Sequence, residues 1–514
     1  MDSPEAAGHP ATAPDMTRQT GTFCPRESRR FVLISAILAS SMGFIDGSVV
    51  ALAMPAIRAD LGASLVDAQW INNGYMLFLS ALVLLGGAAG DVFGVRRVFG
   101  AGIALFVLMS LACALAPDSG TLIVLRAAQG VGAAFMVPGS LAIIAKSYPA
   151  GERGAAIGTW AAASSLTTAL GPFVGGLVLA FGEDWMWRVI FAINGPIGLV
   201  ALYLLFFRVP PDRPETVRRL DVPGAVLATG GLGLITWGLT AFGVPSDNRI
   251  MPPIGWIVLG AMLAAGFVWW EKRAREPMVK LALFRSRAFS GANVYTAILF
   301  FAFGATLFFV PMTLVSAWGA PEWKASLMML PLSVFIGTLS GRMGRLADAR
   351  GPRLFLTAGA AIVGVAFIGL ALTAPLMMMW SVTFPFLALM GFGMSVLVSP
   401  LSTAVMQAAP DDDSGLASGI NNAVARSGSM LAVAALGALA GIVFDLAMGG
   451  SAGLAEFGAR PDTMLDPTAE ELRIAASNMA LQAVVAVSGA LCLLAALVAW
   501  FTQPSWNRVA EATA

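Results

Sequence analysis

Long apolar runs that are nearly free of charge limit most strongly what this chain can fold into. Phe31–Ala53 holds one charged residue, and Val98–Ala116, Val222–Val244 and Leu354–Met379 hold none. A run of about 18 or more apolar residues can cross the hydrocarbon core of a bilayer as a helix. Only 12% of the residues are charged, about half the share of a soluble domain. The sequence therefore predicts an all-α integral membrane protein.

Fourteen such runs can be counted, and they predict fourteen transmembrane helices. They are 31–53, 70–90, 98–116, 121–145, 155–181, 186–207, 222–244, 254–270, 288–315, 325–343, 354–376, 379–407, 415–445 and 478–502. Residues 1–30 form a polar tail without a small-residue cleavage site after a short apolar core, so we interpret the first run as a retained helix and not a signal peptide.

The basic residues predict the orientation of these helices. If the N-terminus is cytoplasmic, 23 Lys and Arg residues fall on the cytoplasmic side, 6 fall on the opposite side and 2 lie within spans. Such a bias is the positive-inside signal of a multi-pass protein. We therefore expect both termini in the cytoplasm and, for a bacterial cell, location in the inner (cytoplasmic) membrane.

The sequence repeats one loop motif after the second and the tenth span. The first copy contains Gly87, Asp91, Gly94 and Arg96, and the second contains Gly344, Asp348, Gly351 and Arg353. Gly130 in the fourth span and Gly391 in the twelfth are separated by nearly the same number of residues as the two copies of this motif. Spans one to six thus match spans nine to fourteen, which is the plan of two parallel six-helix halves with a substrate site between them.

The repeat predicts how the chain is divided. A cytoplasmic tail at 1–30 precedes a six-helix bundle at 31–207, and 208–287 adds two helices with their cytoplasmic linkers. A second six-helix bundle occupies 288–514 and includes an extracytoplasmic loop at about 447–478. The repeated Asp, Gly and Arg residues are expected to hold cytoplasmic helix ends together as a conformational latch, with helix caps and topology signals as the alternative role.

Charged residues inside the spans are the candidates for chemistry. Asp46 is the only acidic residue deep in a first-half span, and Arg126 lies in the fourth span one turn before Gln129. Charges at this depth are costly and mark functional sites, and loss of water favours the neutral form of a carboxyl group. We therefore predict that Asp46 and Arg126 couple transport to protons; the alternatives are a capped structural aspartate and a static or snorkelling arginine.

Other residues are candidates for a hinge and for the substrate cavity. The fifth span contains Gly171, Pro172, Gly175 and Gly176, where proline can kink the helix and glycine allows close helix contact. The candidate cavity residues are Tyr75, Gln129, Phe301, Phe308 and Arg426. Ordinary packing is the alternative role for each of these residues.

Several classes of function are excluded. The one histidine, His9, is in the polar tail, and Cys24, Cys113 and Cys492 have no metal-binding spacing. A net charge of +1 gives no basic surface for nucleic acid, and none of the four lysines belongs to a phosphate-binding loop. We therefore expect no enzyme activity, no metal and no cofactor, and a transporter driven by an ion gradient.

These motifs together resemble the fourteen-span drug:proton antiporters of the major facilitator superfamily, the EmrB/QacA type. The resemblance rests on Ile45–Val50 with Met54-Pro55, on Gly87–Arg97, on Arg126–Ala133, on Gly171-Pro172 with Gly175-Gly176, and on Trp187-Arg188 with Phe191, Asn194 and Pro196. It implies proton-coupled export of lipophilic or amphipathic small molecules across the bilayer by alternating access, with Asp46 and Arg126 in coupling roles. A monomer and a chain that works with envelope partner proteins both remain open.

The chain also departs from the family pattern. Val92 replaces the first arginine of the second-span loop, Val95 replaces a usual basic residue, and spans nine to twelve lack acidic residues in their cores. Because exporters of cations often carry such acids, the sequence does not favour polyvalent cations. A translocator of lipids or envelope components on the same scaffold and an uncoupled, channel-like protein are the rival hypotheses.

Overall fold

The computed structural model describes residues 22–181, 183–212, 214, 219–244, 250–449, 455–460 and 465–504. Over these ranges the chain is helical, without β-strands, and fourteen helices are long and apolar enough to cross a membrane. They are α1 (Arg26–Leu61), α2 (Leu65–Phe93), α3 (Val95–Ala114), α4 (Ser119–Ser147), α5 (Ala150–Leu179), α6 (Asp184–Arg208), α7 (Val222–Gly243), α8 (Pro253–Glu271), α9 (Arg287–Ser316), α10 (Glu322–Arg350), α11 (Pro352–Leu376), α12 (Met379–Gln407), α13 (Asp411–Met448) and α14 (Pro467–Thr502). The predicted fourteen-helix fold is confirmed.

Short turns separate the first three helices from each other and α10 from α11. Gly62 ends α1 with a φ of 59°, and Ser64 begins α2 in a capping box with Asp67. Gly94 separates α2 from α3 at a φ of 91°, and Gly351 separates α10 from α11 at 82°. A residue with a side chain rarely adopts this backbone region. The repeated loop motif therefore encodes the same glycine turn in both halves.

The repeat is also visible in helix packing. At Gly130 in α4, an added Cβ would collide with the backbone of Tyr75 in α2. At Gly391 in α12, it would lie 2.8 Å from the Cα of Leu332 in α10. Small residues permit such close approach in membrane helices, so α4 packs on α2 as α12 packs on α10.

Two pairs of helices form the largest contacts between the two halves. α2 packs along α13, where Gln69 Nε2 donates to the carbonyl oxygen of Val433 at 2.7 Å. α5 packs along α10. The two additional helices, α7 and α8, pack on each other, and α7 also contacts α2 and α13. They thus cover the α2–α13 seam from outside.

Because the number of spans is even, both ends of the described chain lie on the same side of the membrane, which we call the terminal face. We call the opposite side the distal face. Two helices extend beyond the predicted apolar runs. α1 begins at Arg26 within the predicted tail, where Pro25 is its N-cap residue, and residues 1–21 of that tail lie outside the described residues.

The second such helix follows the long distal loop, which was predicted at about 447–478. The last helix already begins at Pro467. Arg473 is 3% exposed and its guanidinium pairs with Glu470, with Nη2 to Oε1 at 2.7 Å. Because these charges neutralise each other within one helical turn, the helix extends beyond the apolar run. Residues 450–454 and 461–464 of this loop lie outside the described residues.

Candidate functional site

A buried ion pair joins α1 to α4. Nη1 of Arg126 lies 2.8 Å from Oδ1 and 2.6 Å from Oδ2 of Asp46. The two side chains are 1% and 0% exposed, respectively. The sequence predicted both residues as functional, and the structure brings them into direct contact.

Further groups complete the surroundings of the pair. Gln129, one turn after Arg126, accepts from Nη1 at 2.7 Å and donates to Oδ1 of Asp46 at 3.2 Å. Nε of Arg126 donates to the carbonyl oxygen of Ile71 at 3.2 Å. The guanidinium lies 4.3 Å from the centre of the Tyr75 ring and 5.5 Å from that of Phe191. These contacts offset part of the desolvation that burial imposes on the arginine.

Glycines bring α2 close enough to α4 to build this site. Besides Gly130, an added Cβ at Gly74 would lie 3.3 Å from the carbonyl oxygen of Ile123. This close approach places Ile71 and Tyr75 against the Arg126 guanidinium. The predicted cavity residues Tyr75 and Gln129 are therefore 2% and 0% exposed and belong to the ion-pair cluster.

The glycines of α5 serve its packing on α1 and α10. An added Cβ at Gly171 would lie 3.2 Å from Oγ of Ser48, and one at Gly175 would collide with Val49. At Gly176 it would lie 3.0 Å from the Cα of Trp323 in α10. Pro172 lies inside the helix. This segment thus brings both halves together close to the distal face.

The first copy of the loop motif contacts helices of its own half. Oδ1 of Asp91 pairs with Nζ of Lys146 at the end of α4, at 3.0 Å. Arg96 donates from Nη2 to the carbonyl oxygen of Phe206 at 2.7 Å. Asp212, in the linker after α6, accepts from the backbone N–H of Val95 at 2.6 Å and that of Arg96 at 3.1 Å. Asp212 thus caps α3, a role that its sequence position did not reveal.

The second copy of the motif has different contacts. The guanidinium of Arg353 lies 3.9 Å from the centre of the Trp500 ring in α14. Asp348 is exposed and has no ion pair among the described residues. Gly87 and Gly344 lie in α2 and α10, respectively. The Asp and Arg of neither copy pair with each other, and their role as a latch stays a prediction.

A short segment of the long distal loop, 455–460, which we call the distal strap, bridges the two halves. Arg58 of α1 is 4% exposed and donates to the carbonyl oxygen of Phe457 at 2.6 Å and to Oε2 of Glu456 at 2.7 Å. Arg460 pairs with Asp184 at 3.2 Å and also with Glu322 of α10. These ion pairs join the two halves at the distal face.

Phe457 anchors the strap between helices of the second half. Its side chain is 1% exposed, and its ring centre lies 6.0 Å from that of Phe309 and 6.1 Å from that of Phe444. Gly458 follows at a φ of 76°. The sequence does not reveal this strap, because neither periodicity nor a motif indicates which helices a loop folds back upon.

The remaining predicted cavity residues differ in accessibility. Phe308 is 3% exposed and packs edge-on against Phe309, so it faces no open surface in this structure. Phe301 and Arg426 are partly exposed. Nε of Arg426 donates to Oδ1 of Asn422 at 2.8 Å.

Comparison with known proteins identifies the family. A family model described as "Major Facilitator Superfamily" matches residues 36–433 of this chain. The chain belongs to the major facilitator superfamily. It is 32% identical to the tetracenomycin C resistance and export protein of Streptomyces glaucescens, over 79% of this chain and 75% of that protein. It is also 31% identical to the puromycin resistance protein of Streptomyces alboniger, over 95% and 94% of the two chains.

Solved structures of the superfamily share the fold. An inward-facing, unoccupied bacterial homologue of the human lysosomal transporter Spinster superposes with a TM-score of 0.63 at 17% identity, over 94% of this chain and 99% of that one. A D-xylose–proton symporter superposes with a TM-score of 0.62 at 15% identity, over 93% and 98%. The family and its relatives make this chain a membrane transporter, as the sequence predicted.

Proposed function

We propose that this superfamily member is a proton-coupled exporter of lipophilic or amphipathic small molecules that works by alternating access. The observation that carries the proposal is the Asp46–Arg126 pair, buried between the middle of α1 and the first third of α4. In the other described helices, acidic residues lie near helix ends. The relatives named for antibiotic resistance and export support outward transport of small molecules.

Protonation of Asp46 would remove the charge–charge attraction within the Asp46–Arg126 pair. A neutral carboxyl group would leave the Arg126 guanidinium buried without its counter-charge, and breaking a buried pair in this way costs about 3–5 kcal/mol. A proton moving inward releases about 2.3 kcal/mol per 100 mV, in addition to the pH term. Because the two energies are of the same order, proton binding can shift the equilibrium between two conformations of the halves.

The packing of glycines supports a conformation that is closed at the distal face and more open at the terminal face. Near the distal face, Gly176 lies against α10. Toward the terminal face, five glycines of the same two helices have no described atom of another helix within 4 Å of an added Cβ; these are Gly151, Gly154, Gly158, Gly337 and Gly341. Gly344 of α10 packs there against Ser399 of α12, which belongs to its own half. We infer that the terminal face is cytoplasmic, as the distribution of basic residues predicts, and that this conformation accepts substrate from the cytoplasm.

The distal strap gives a testable consequence of this mechanism. Glu456→Gln removes the counter-charge of Arg58, so we expect the distal face to open more often. A cysteine introduced at Ser326, which is 2% exposed beside Gly176, should then react several times faster with a membrane-impermeant maleimide added at the distal face. Glu471→Gln, an exposed residue of α14, is the matched control. Unchanged labelling in Glu456→Gln would contradict the role of the strap.

The experiment that tests the proposal is transport into energised everted vesicles. We expect ethidium or dansylamide to accumulate against its gradient and to be released when a protonophore is added. Nigericin and valinomycin then separate the pH and potential components. Downhill equilibration of the probe that is unaffected by the protonophore would instead favour the channel-like hypothesis. Transfer of lipid between leaflets without movement of either probe would favour the lipid translocator.

A further inference from the structure

A polar stripe on α13 runs from the terminal face into the middle of the membrane. Gly415, Ser418 and Asn422 are exposed and Arg426 is partly exposed. Their spacing of three or four residues places them on one side of the helix. A side that contacts lipid would be apolar, because polar and charged groups in hydrocarbon are costly. This side of α13 therefore faces a water-filled cleft.

Neighbouring packing shows which way the stripe points. The adjacent side of α13 is occupied by α9, where Asn421 Nδ2 donates to Oγ1 of Thr296 at 2.7 Å and Ser429 donates to the carbonyl oxygen of Phe300 at 3.1 Å. At Gly419, two turns before Arg426 on the same side of α13, an added Cβ would lie 2.8 Å from the Leu84 side chain of α2. The Arg426 side chain thus points toward the seam between the halves.

Arg426 is a cation without a counter-charge at this depth. Its Nε donates to Asn422, and it forms no ion pair with any described residue. Asp46 cannot neutralise it, because both carboxylate oxygens already contact Arg126. Because the charges of Asp46 and Arg126 cancel, Arg426 gives the middle of the protein one excess positive charge.

We propose that Arg426 is the subsite for an acidic group of the substrate, and that the transporter prefers amphipathic anions such as carboxylates, sulfonates or enolates. This inference rests on the proposed export function and names its substrate class. The planar guanidinium can donate two parallel hydrogen bonds to such a group. Phe301, partly exposed on the adjacent α9, supplies apolar surface for the rest of the molecule.

Exchange of an anion for a proton has an electrical consequence. An anion that leaves and a proton that enters both carry charge in the same electrical direction, so their exchange moves more charge than exchange of a neutral compound. Flux of an anionic substrate should therefore respond more strongly to the membrane potential than flux of a neutral one.

The test compares three probes that share one ring system: anionic dansyltaurine, neutral dansylamide and cationic dansylcadaverine. In energised everted vesicles, wild type should accumulate dansyltaurine best. Arg426→Gln should lower dansyltaurine transport at least tenfold and leave dansylamide transport within about twofold, and Arg426→Lys should retain part of the anion transport. Arg345→Gln, an exposed arginine near the end of α10, controls for loss of one positive charge.

The outcomes separate this inference from the proposed function. Proton-dependent transport of dansylamide or dansylcadaverine, with dansyltaurine excluded or unaffected by Arg426→Gln, would overturn the anion subsite and leave the exporter intact. Failure of correctly folded wild type to transport any of the three would overturn both. Failure of Arg426→Gln to fold would shift the decision to Arg426→Lys, in which a lower preference for dansyltaurine over dansylamide than in wild type supports the subsite and an unchanged preference overturns it.

Discussion

Asp46→Asn is expected to reduce proton-dependent uphill transport to the level of vesicles that lack the protein. An amide has nearly the shape of the carboxyl group and can still accept from Arg126, but it cannot bind and release a proton. Arg126 also keeps its contacts with Gln129, Ile71 and Tyr75. The variant should therefore fold, although less stably, and transport should fail for lack of coupling.

The control for this variant is Glu471→Gln. Glu471 is exposed near the start of α14 and forms no ion pair with any described residue. This change should therefore have a small effect on stability, and it does not alter the buried pair. Protonophore-sensitive accumulation by Asp46→Asn at the wild-type level would remove Asp46 from coupling.

Arg126→Met should destabilise the protein. It leaves the Asp46 carboxylate buried without its cation, which costs about 3–5 kcal/mol. The measurement is thermal or denaturant-induced unfolding of the purified protein in one detergent, with Arg345→Met as a control on an exposed arginine. Transport should be lost as well.

The double variant Asp46→Asn, Arg126→Met separates structure from coupling. Because both charges are removed, we expect it to be more stable than Arg126→Met alone, so that the two changes are clearly non-additive. It should nevertheless remain inactive in proton-coupled transport. Additive losses of stability would show that the pair contributes little to the folded state, and restored uphill transport would contradict its coupling role.

The features that the sequence revealed best are those for which the membrane leaves few alternatives. Apolar runs must become helices because hydrocarbon cannot satisfy backbone polar groups. Asp46 and Arg126 stood out because charges inside spans require a partner or water, and the structure pairs them. Gly94 and Gly351 were found through the repeat, and both adopt a positive φ.

Other features depend on packing that the sequence does not encode locally. Phe308 was a candidate for the cavity, yet it is buried against Phe309. In a membrane protein, core, lipid-facing and cavity-facing aromatic residues have the same hydrophobicity, so composition cannot distinguish them. The contacts of Arg58 with Glu456 and Phe457 join residues far apart in the chain, and no helical period predicts such pairs.

The most direct test of the central claim is proton movement driven by substrate alone. Purified protein is reconstituted in liposomes that contain a pH-sensitive dye, and a dansylamide gradient is imposed without a pH difference or potential. We predict proton flux opposite to the substrate flux in wild type and none in Asp46→Asn. Substrate flux that crosses the membrane without any proton movement in wild type would contradict proton-coupled export.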